Sequence, residues 1–241
     1  MSIVCVAGMH RSGTSAVAKL LRDCGLDLGP LDELVPPDDF NQHGYWEHIR
    51  FVELNDDLLR ALDAGWDHPP ELPLRWRELA GLDQLLARAV EMVEGFSREP
   101  WGWKDPRNCL TLPFWRHVVP DLRVVLAIRN PLEVALSLRR RNFFSTAHSL
   151  SLWLDYNNRV EQATNPEDRI VVAYDSLLSD PTGELGRLID FIGLEPDGYA
   201  LKTAMAGVLP EWMPATLAVG PMVLFLVLAV SPGRHHWRGL R

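Results

Sequence analysis

The sequence predicts an α/β fold, a single domain in which a central parallel sheet is flanked by helices. Three observations carry this prediction. The chain opens with the apolar run Ile3 to Ala7, which ends in the glycine-punctuated loop Gly8-Met9-His10-Arg11-Ser12-Gly13 and leads straight into an amphipathic segment. A second apolar run, Arg123 to Ile128, ends likewise in Arg129-Asn130-Pro131 before another helical segment. Unbroken apolar runs of this kind mark strands buried on both faces. Strands and helical segments alternate along the chain without internal repeats, so the strands must be joined by crossovers and pair in parallel.

Each element follows in order. After the first strand, a helix from about Thr14 to Cys24 is expected, because Val17, Leu20, Leu21 and Cys24 form one stripe and Gly25 stops it. A loop rich in Pro and Asp spans Asp27 to Trp46, and a helix runs from about His48 to Leu62. Asp63 to Pro73 is a further loop; Leu79, Leu82, Leu86, Ala89, Val90 and Val93 then mark the buried stripe of a long amphipathic helix. Trp101-Gly102-Trp103 reads as a strand ending at Lys104, which places that lysine at the carboxyl edge of the sheet, where open α/β folds bind ligands. Pro131 suits the first position of the helix that reaches about Arg141. Val171-Val172-Ala173 is the last strand. The Trp- and Pro-containing loops are expected to shape the pocket of a second substrate.

A chain of 241 residues suffices for one such domain and is short for two; the domain is expected to span residues 1–200, with 201–241 as an atypical tail. In that tail Met213 to Val230 carries no charge, Met222 to Val230 is continuously apolar, and a basic end follows. A membrane helix needs about 20 apolar residues, and Pro214, Gly220 and Pro221 interrupt the run. A buried terminal helix, a membrane-associated tail and a segment altered by truncation or frame change all remain open. The formal net charge of −8 argues against a nucleic-acid binder, so an anionic ligand must be held by local cations. Cys5, Cys24 and Cys109 sit in apolar runs without C-x-x-C spacing and are expected to be buried thiols in a reducing, cytoplasmic compartment. The first strand begins at once, so no secretory signal is expected.

The chemistry starts at the first loop. Gly8 and Gly13 have the spacing of the P-loop G-x-x-x-x-G-K-[ST], but Thr14 stands at the lysine position and Arg11 supplies a cation inside the loop. Transfer of a nucleotide γ-phosphoryl group needs that lysine and a Mg²⁺. What remains suits a phosphosulfate held without metal, by loop amides, by the hydroxyls of Ser12, Thr14 and Ser15, and by Arg11. Downstream, Ser137 and Arg141 are four apart and share a helical face, so with Arg129 they could converge on one anion. Taken alone, Arg139 to Arg141 also fits a solvated charge run with Ser137 incidental.

Together the GxxRSGTS loop, formed by Gly8 to Ser15, and the strand-RNPxxxxxSxxxR-helix segment, Arg129 to Arg141, resemble the two phosphate motifs of sulfotransferases that use 3′-phosphoadenosine 5′-phosphosulfate (PAPS). The resemblance extends to Lys104-Asp105-Pro106, similar to the KDP element of the bacterial and tyrosylprotein branches, and to Val171 to Leu177 with Asp180-Pro181, similar to a strand-YExL-xxDP segment. It covers Met1 to about Leu194; after Leu194 no GxxG-containing counterpart of the family's late basic loop is present. It implies a P-loop-like domain and PAPS as co-substrate without a metal. It further implies that Arg11, Ser12, Gly13, Thr14 and Ser15 hold the phosphosulfate, that Arg129, Ser137 and Arg141 hold the 3′-phosphate with Tyr174 near the nucleotide, and that Lys104 stabilises the transferring group.

Sulfuryl transfer requires a base within reach of the acceptor. Glu47, expected to open a helix, resembles the catalytic glutamate of the tyrosylprotein branch, and it equally fits a carboxylate complementing a helix start. His10 inside the loop, with His43 and His48 beside Glu47, are rival bases. Asp105 and Arg107 are expected to form an ion pair that fixes their turn. The expected acceptor is a small molecule or glycan that offers a hydroxyl or an amine, its identity not fixed by the sequence. A small-metabolite kinase and a non-catalytic nucleotide-binding relative are the alternatives.

Overall fold

A computed structural model describes residues 2–71 and 75–207. The apolar tail anticipated over residues 213–241 lies outside the described residues. Among those described, no helix is long and apolar enough to cross a membrane.

The elements alternate as the apolar runs require: β1 (Ile3–Ala7), α1 (Thr14–Asp23), α2 (Ile49–Ala61), α3 (Leu82–Glu94), β2 (Trp101–Lys104), α4 (Asn108–Val118), β3 (Arg123–Ile128), α5 (Pro131–Asn142), α6 (Thr146–Ala163), β4 (Arg169–Ala173), α7 (Tyr174–Ser179), α8 (Pro181–Ile192) and α9 (Gly198–Ala206). The sheet has the order β2-β1-β3-β4 and every pairing is parallel, with Val6 opposite Lys104 on one side and Val125 on the other. Val4 to Ala7 are all fully buried. Because successive strand side chains point to opposite faces, this burial means that both faces of β1 are covered. The chain steps from β1 to β2 on one side and then crosses to β3 on the other, so the carboxyl ends of β1 and β3 flank the point where strand order reverses, the usual ligand crevice.

Two helical layers do the covering. The amphipathic α1 packs on β1, β2 and β3 and against α8 and α9, while α4 lies on β1 and against α2, α3 and α6. An aromatic cluster fills the space beneath α2 and α4, where the Phe51 ring stacks on Trp103 at 4.6 Å and lies 5.1 Å from Trp115. The edge strand β4 leaves Val171 partly exposed.

The helix over residues 82–94 forms as expected but presents a different face. Leu85, Ala89 and Met92 are buried, whereas Val90 is exposed. Apolar residues fall on both sides of this helix, so periodicity alone did not fix which stripe meets the core. The three cysteines are free and buried.

Candidate functional site

The loop after β1 is built by backbone conformation. Gly8 has φ 146°, and a Cβ there would lie 2.4 Å from the carbonyl oxygen of Ala127 in β3, so glycine lets the loop cross the strand ends. Its N–H donates to Cys109 Sγ on α4 at 3.1 Å. Gly13, at φ 87°, precedes α1, and no side chain caps that helix end. An uncapped helix N-terminus presents its amides and positive dipole end to an anion. The ring of Tyr174, which opens α7 directly after β4, packs where a Gly13 Cβ would sit, 2.2 Å from its Cδ2.

Arg11 joins the two sequence motifs. It adopts a left-handed φ of 72°, its Nε donates to Ser137 Oγ on α5 at 2.8 Å, and its Nη1 donates to the carbonyl of Phe40 at 3.2 Å. Burial first, then the Arg141 and Arg129 charges, depress the Arg11 pKa, while Tyr45 and Asp38 oppose the fall. Arg129 lies 4.5 Å above the Tyr174 ring and pairs with Glu133 at 2.7 Å; Arg141 lies 5.7 Å from the Trp66 ring. Arg139 and Arg140 are exposed, so Arg141 alone of the three turns inward.

The hydroxyls divide. Thr14 and Ser12 are buried, and Ser12 Oγ has no hydrogen-bond partner among the described residues. Ser15 Oγ instead donates to the Tyr45 carbonyl at 3.2 Å and accepts from Asn41 Nδ2 at 3.1 Å, tying α1 to the 41–45 loop. That loop is closed on itself, since Tyr45 Oη donates to the Asp38 carboxylate at 2.8 Å.

Lys104 and Glu47 meet, although 57 residues separate them: Nζ and Oε1 are 2.5 Å apart and both side chains are buried. Glu47 does not begin α2. His48 caps that helix, so Glu47 precedes the cap and its carboxylate serves Lys104 rather than the helix end. Burial raises the Glu47 pKa and the Lys104 charge opposes the rise. The neighbouring Asp105 accepts from the Arg107 backbone N–H at 2.9 Å and from its guanidinium at 3.0 Å, the ion pair expected from their spacing.

The three histidines separate. His10 lies in the loop against Trp66, with ring centroids 4.5 Å apart, and its Nε2 is buried without a partner among the described residues. Burial, followed by the charges of Arg107, Arg141, Lys104 and Arg11, holds its pKa well below the usual value, so the ring is neutral. His48 Nε2 is 2.9 Å from Glu33, and its Nδ1 accepts from the Arg50 N–H. His43 is exposed.

Sequence reasoning missed three contributors. Trp66 covers His10, held through its carbonyl by Tyr156 Oη at 2.6 Å. Cys109 anchors Gly8. Asn55 underlies the Lys104 corner, and its only signal was a polar residue on the stripe Phe51, Leu54, Asn55, Leu58, Leu59 that α2 buries.

The family model described as "Sulfotransferase family" matches residues 4–198. A Caenorhabditis elegans protein provisionally named a protein-tyrosine sulfotransferase is 28% identical over 100 residues, 38% of this chain and 39% of that protein, so the match spans about two fifths of the curated relative. Among solved structures, the sulfotransferase domain from the curacin biosynthetic pathway aligns over 90% of this chain and 81% of its own at a TM-score of 0.51 and 14% identity. The sulfotransferase domain of the Synechococcus PCC 7002 olefin synthase aligns over 91% and 89% at 0.50 and 16% identity. At these identities the structures show a shared fold, and the family model, which covers most of the chain, shows the lineage: the chain belongs to the sulfotransferase family.

Proposed function

We propose that this chain moves a sulfuryl group from PAPS to a hydroxyl of a small-molecule or glycan acceptor, without a metal, and that Glu47 takes the acceptor's proton. The observation that carries the nucleotide reading is the Arg11 to Ser137 hydrogen bond of 2.8 Å, which brings the loop and α5 together with Arg129 and Arg141 nearby. The residues fit an anion with two phosphate positions: an uncapped helix start, a buried unpartnered Ser12 hydroxyl, and three clustered guanidiniums. Ser12, Gly13, Thr14 and Arg11 would hold the phosphosulfate, and Arg129, Ser137 and Arg141 the 3′-phosphate, with the Tyr174 ring filling the gap between Gly13 and Arg129. Ser15 would contribute its backbone, because its hydroxyl is committed to the 41–45 loop. When bound, PAPS supplies an activated sulfuryl group with a good leaving phosphate.

The protein's own part is charge placement and proton removal. Lys104 holds Oε1 of Glu47, leaving the second carboxylate oxygen to accept the proton as the acceptor oxygen attacks. Burial strengthens Glu47 as a base, while Lys104 keeps it ionised. The ammonium is then positioned to offset negative charge that grows as the acceptor proton leaves. His10, held neutral and weakly basic, suits a hydrogen-bonding role at the loop better than proton removal.

Single-turnover conversion of PAPS to its desulfated product, with phenol, a tyrosine-containing peptide and a simple sugar as trial acceptors, tests this. Glu47→Gln should slow the step by about 10² to 10⁴ while leaving nucleotide affinity intact. A near-normal rate in that variant removes Glu47 from the role of base.

A further inference from the structure

We propose that Asn55 is a positioning residue that sets the Lys104–Glu47 pair by clamping α2 to the corner between β2 and α4. This rests on the reading of that pair as the reacting groups.

Glu47 sits just before α2 and Asn55 lies two turns along it. Lys104 ends β2, and Asp105 begins the corner that leads into α4. Beside the stacking of Phe51 on Trp103, the two segments touch at the ion pair and again where Asn55 Nδ2 donates to Asp105 Oδ2 at 2.8 Å. An ion pair fixes a distance but leaves the helix free to slide or turn about it. The Asn55 contact restricts that freedom with a directional hydrogen bond.

Asn55 is well built for this. Its amide also donates to Asn108 Oδ1 at 3.0 Å, and its carbonyl accepts from Thr111 Oγ1 at 2.7 Å and Trp115 Nε1 at 2.8 Å. A side-chain amide has two donor hydrogens and two acceptor lone pairs, so all of its hydrogen-bonding capacity is used, and it is fully buried. Asn108 in turn accepts from Trp103 Nε1 at 3.1 Å, on the strand that ends in Lys104. The next residue of α2 repeats the attachment outside: Asp56 Oδ1 lies 2.6 Å from Arg107 Nε, and Arg107 also pairs with Asp105. Asp105, Asn108, Thr111 and Trp115 are themselves fully buried, so an aliphatic residue here would leave four polar groups without this partner. Fully satisfied buried networks specify one arrangement at the cost of tolerance to change.

The charged groups that face Glu47 are Lys104, Asp105 and Arg107. If Asn55 is lost, Asp105 loses a donor and α2 loses its register. The Glu47–Lys104 separation then grows while burial persists, so Glu47 should hold its proton to higher pH.

The test follows the Glu47 carboxyl carbon by ¹³C NMR across pH in the ligand-free protein, which needs neither PAPS nor an acceptor. Asn55→Ala should shift the Glu47 titration upward relative to wild type. In single-turnover assays with PAPS the same variant should lose about 10-fold to 100-fold in rate, with affinity for 3′-phosphoadenosine 5′-phosphate unchanged. If Asn55→Ala does not fold, Asn55→Ser gives the same reading with a smaller cavity. A variant that unfolds more easily yet keeps the wild-type Glu47 titration and rate would show Asn55 to be a core residue only and overturn the proposal. Failure of wild type to turn over PAPS would strike the functional reading instead, leaving the titration result to stand by itself.

Discussion

Replacing Lys104 by methionine isolates what the buried ion pair contributes. The ammonium is 2.5 Å from Glu47 Oε1, and the two side chains are only 2% and 10% exposed. Removing it strands a carboxylate whose pKa burial already raises. Leaving one partner of a buried pair costs about 3 to 5 kcal/mol, but protonation of Glu47 caps the charged part of that cost. Starting from the ordinary value of 4.5, each pH unit above it costs about 1.4 kcal/mol to protonate the group. The cap is therefore about 3.4 kcal/mol at pH 7 and about 0.7 kcal/mol at pH 5. The sign follows from the folded state holding its proton more tightly than the unfolded one: stability is fully present at low pH and is lost as pH rises through the folded pKa. Lys104→Met should thus be destabilised far more at pH 7 than at pH 5, by up to about 2.7 kcal/mol in urea unfolding. Adding Glu47→Gln should flatten that dependence. A Lys104→Met penalty equal at both pH values would refute the reasoning, because it would mean that Glu47 is not stranded.

Three further outcomes are expected. Arg129→Ala should weaken binding of 3′-phosphoadenosine 5′-phosphate by about 10-fold or more, because a hydrogen bond to a charged group contributes about 1.5 to 3 kcal/mol; calorimetry reads it, and a twofold change would exclude Arg129 from the 3′-phosphate site. Gly13→Ala would set a Cβ at φ 87°, 2.2 Å from Tyr174 Cδ2; it should lower both thermal stability and nucleotide affinity, and adding Tyr174→Ala should relieve the clash but not the backbone strain. The rate of sulfuryl transfer should lose activity in acid at a pH above the usual carboxylate range, since burial raises the Glu47 pKa. An acid limb that persists unchanged in Glu47→Gln would assign it elsewhere.

Much of this arrangement was legible in the sequence because it is local. Buried parallel strands write themselves as unbroken apolar runs, and the glycines of the loop sit where φ is positive, so β1, β3, the loop and α5 fell at their expected places. Ser137 and Arg141 could be paired because residues four apart share a helical face, whereas the hydrogen bond that joins Arg11 to Ser137 had no local signal. What stayed hidden depends on tertiary closure. Nothing local says that Glu47 faces Lys104 rather than its own helix, or that Ser15 would give its hydroxyl to Asn41 and Tyr45. His48 read as a rival base until its ring was found engaged with Glu33. On α3 the apolar residues are spread too widely for periodicity to choose between Leu85 and Leu86. Asn55 is a polar residue in a buried stripe, but its four partners, Asp105, Asn108, Thr111 and Trp115, come from a different segment of the chain, the corner after β2 and α4.

The central claim is that the lysine-less loop and the three guanidiniums form a metal-free site for a 3′-phosphorylated adenine nucleotide. Calorimetric titration of the protein with 3′-phosphoadenosine 5′-phosphate and with ATP, each with and without Mg²⁺, tests it most directly. The first nucleotide should bind without metal and be preferred over ATP by at least about tenfold. Equal affinity for ATP, or binding only when Mg²⁺ is present, would contradict it.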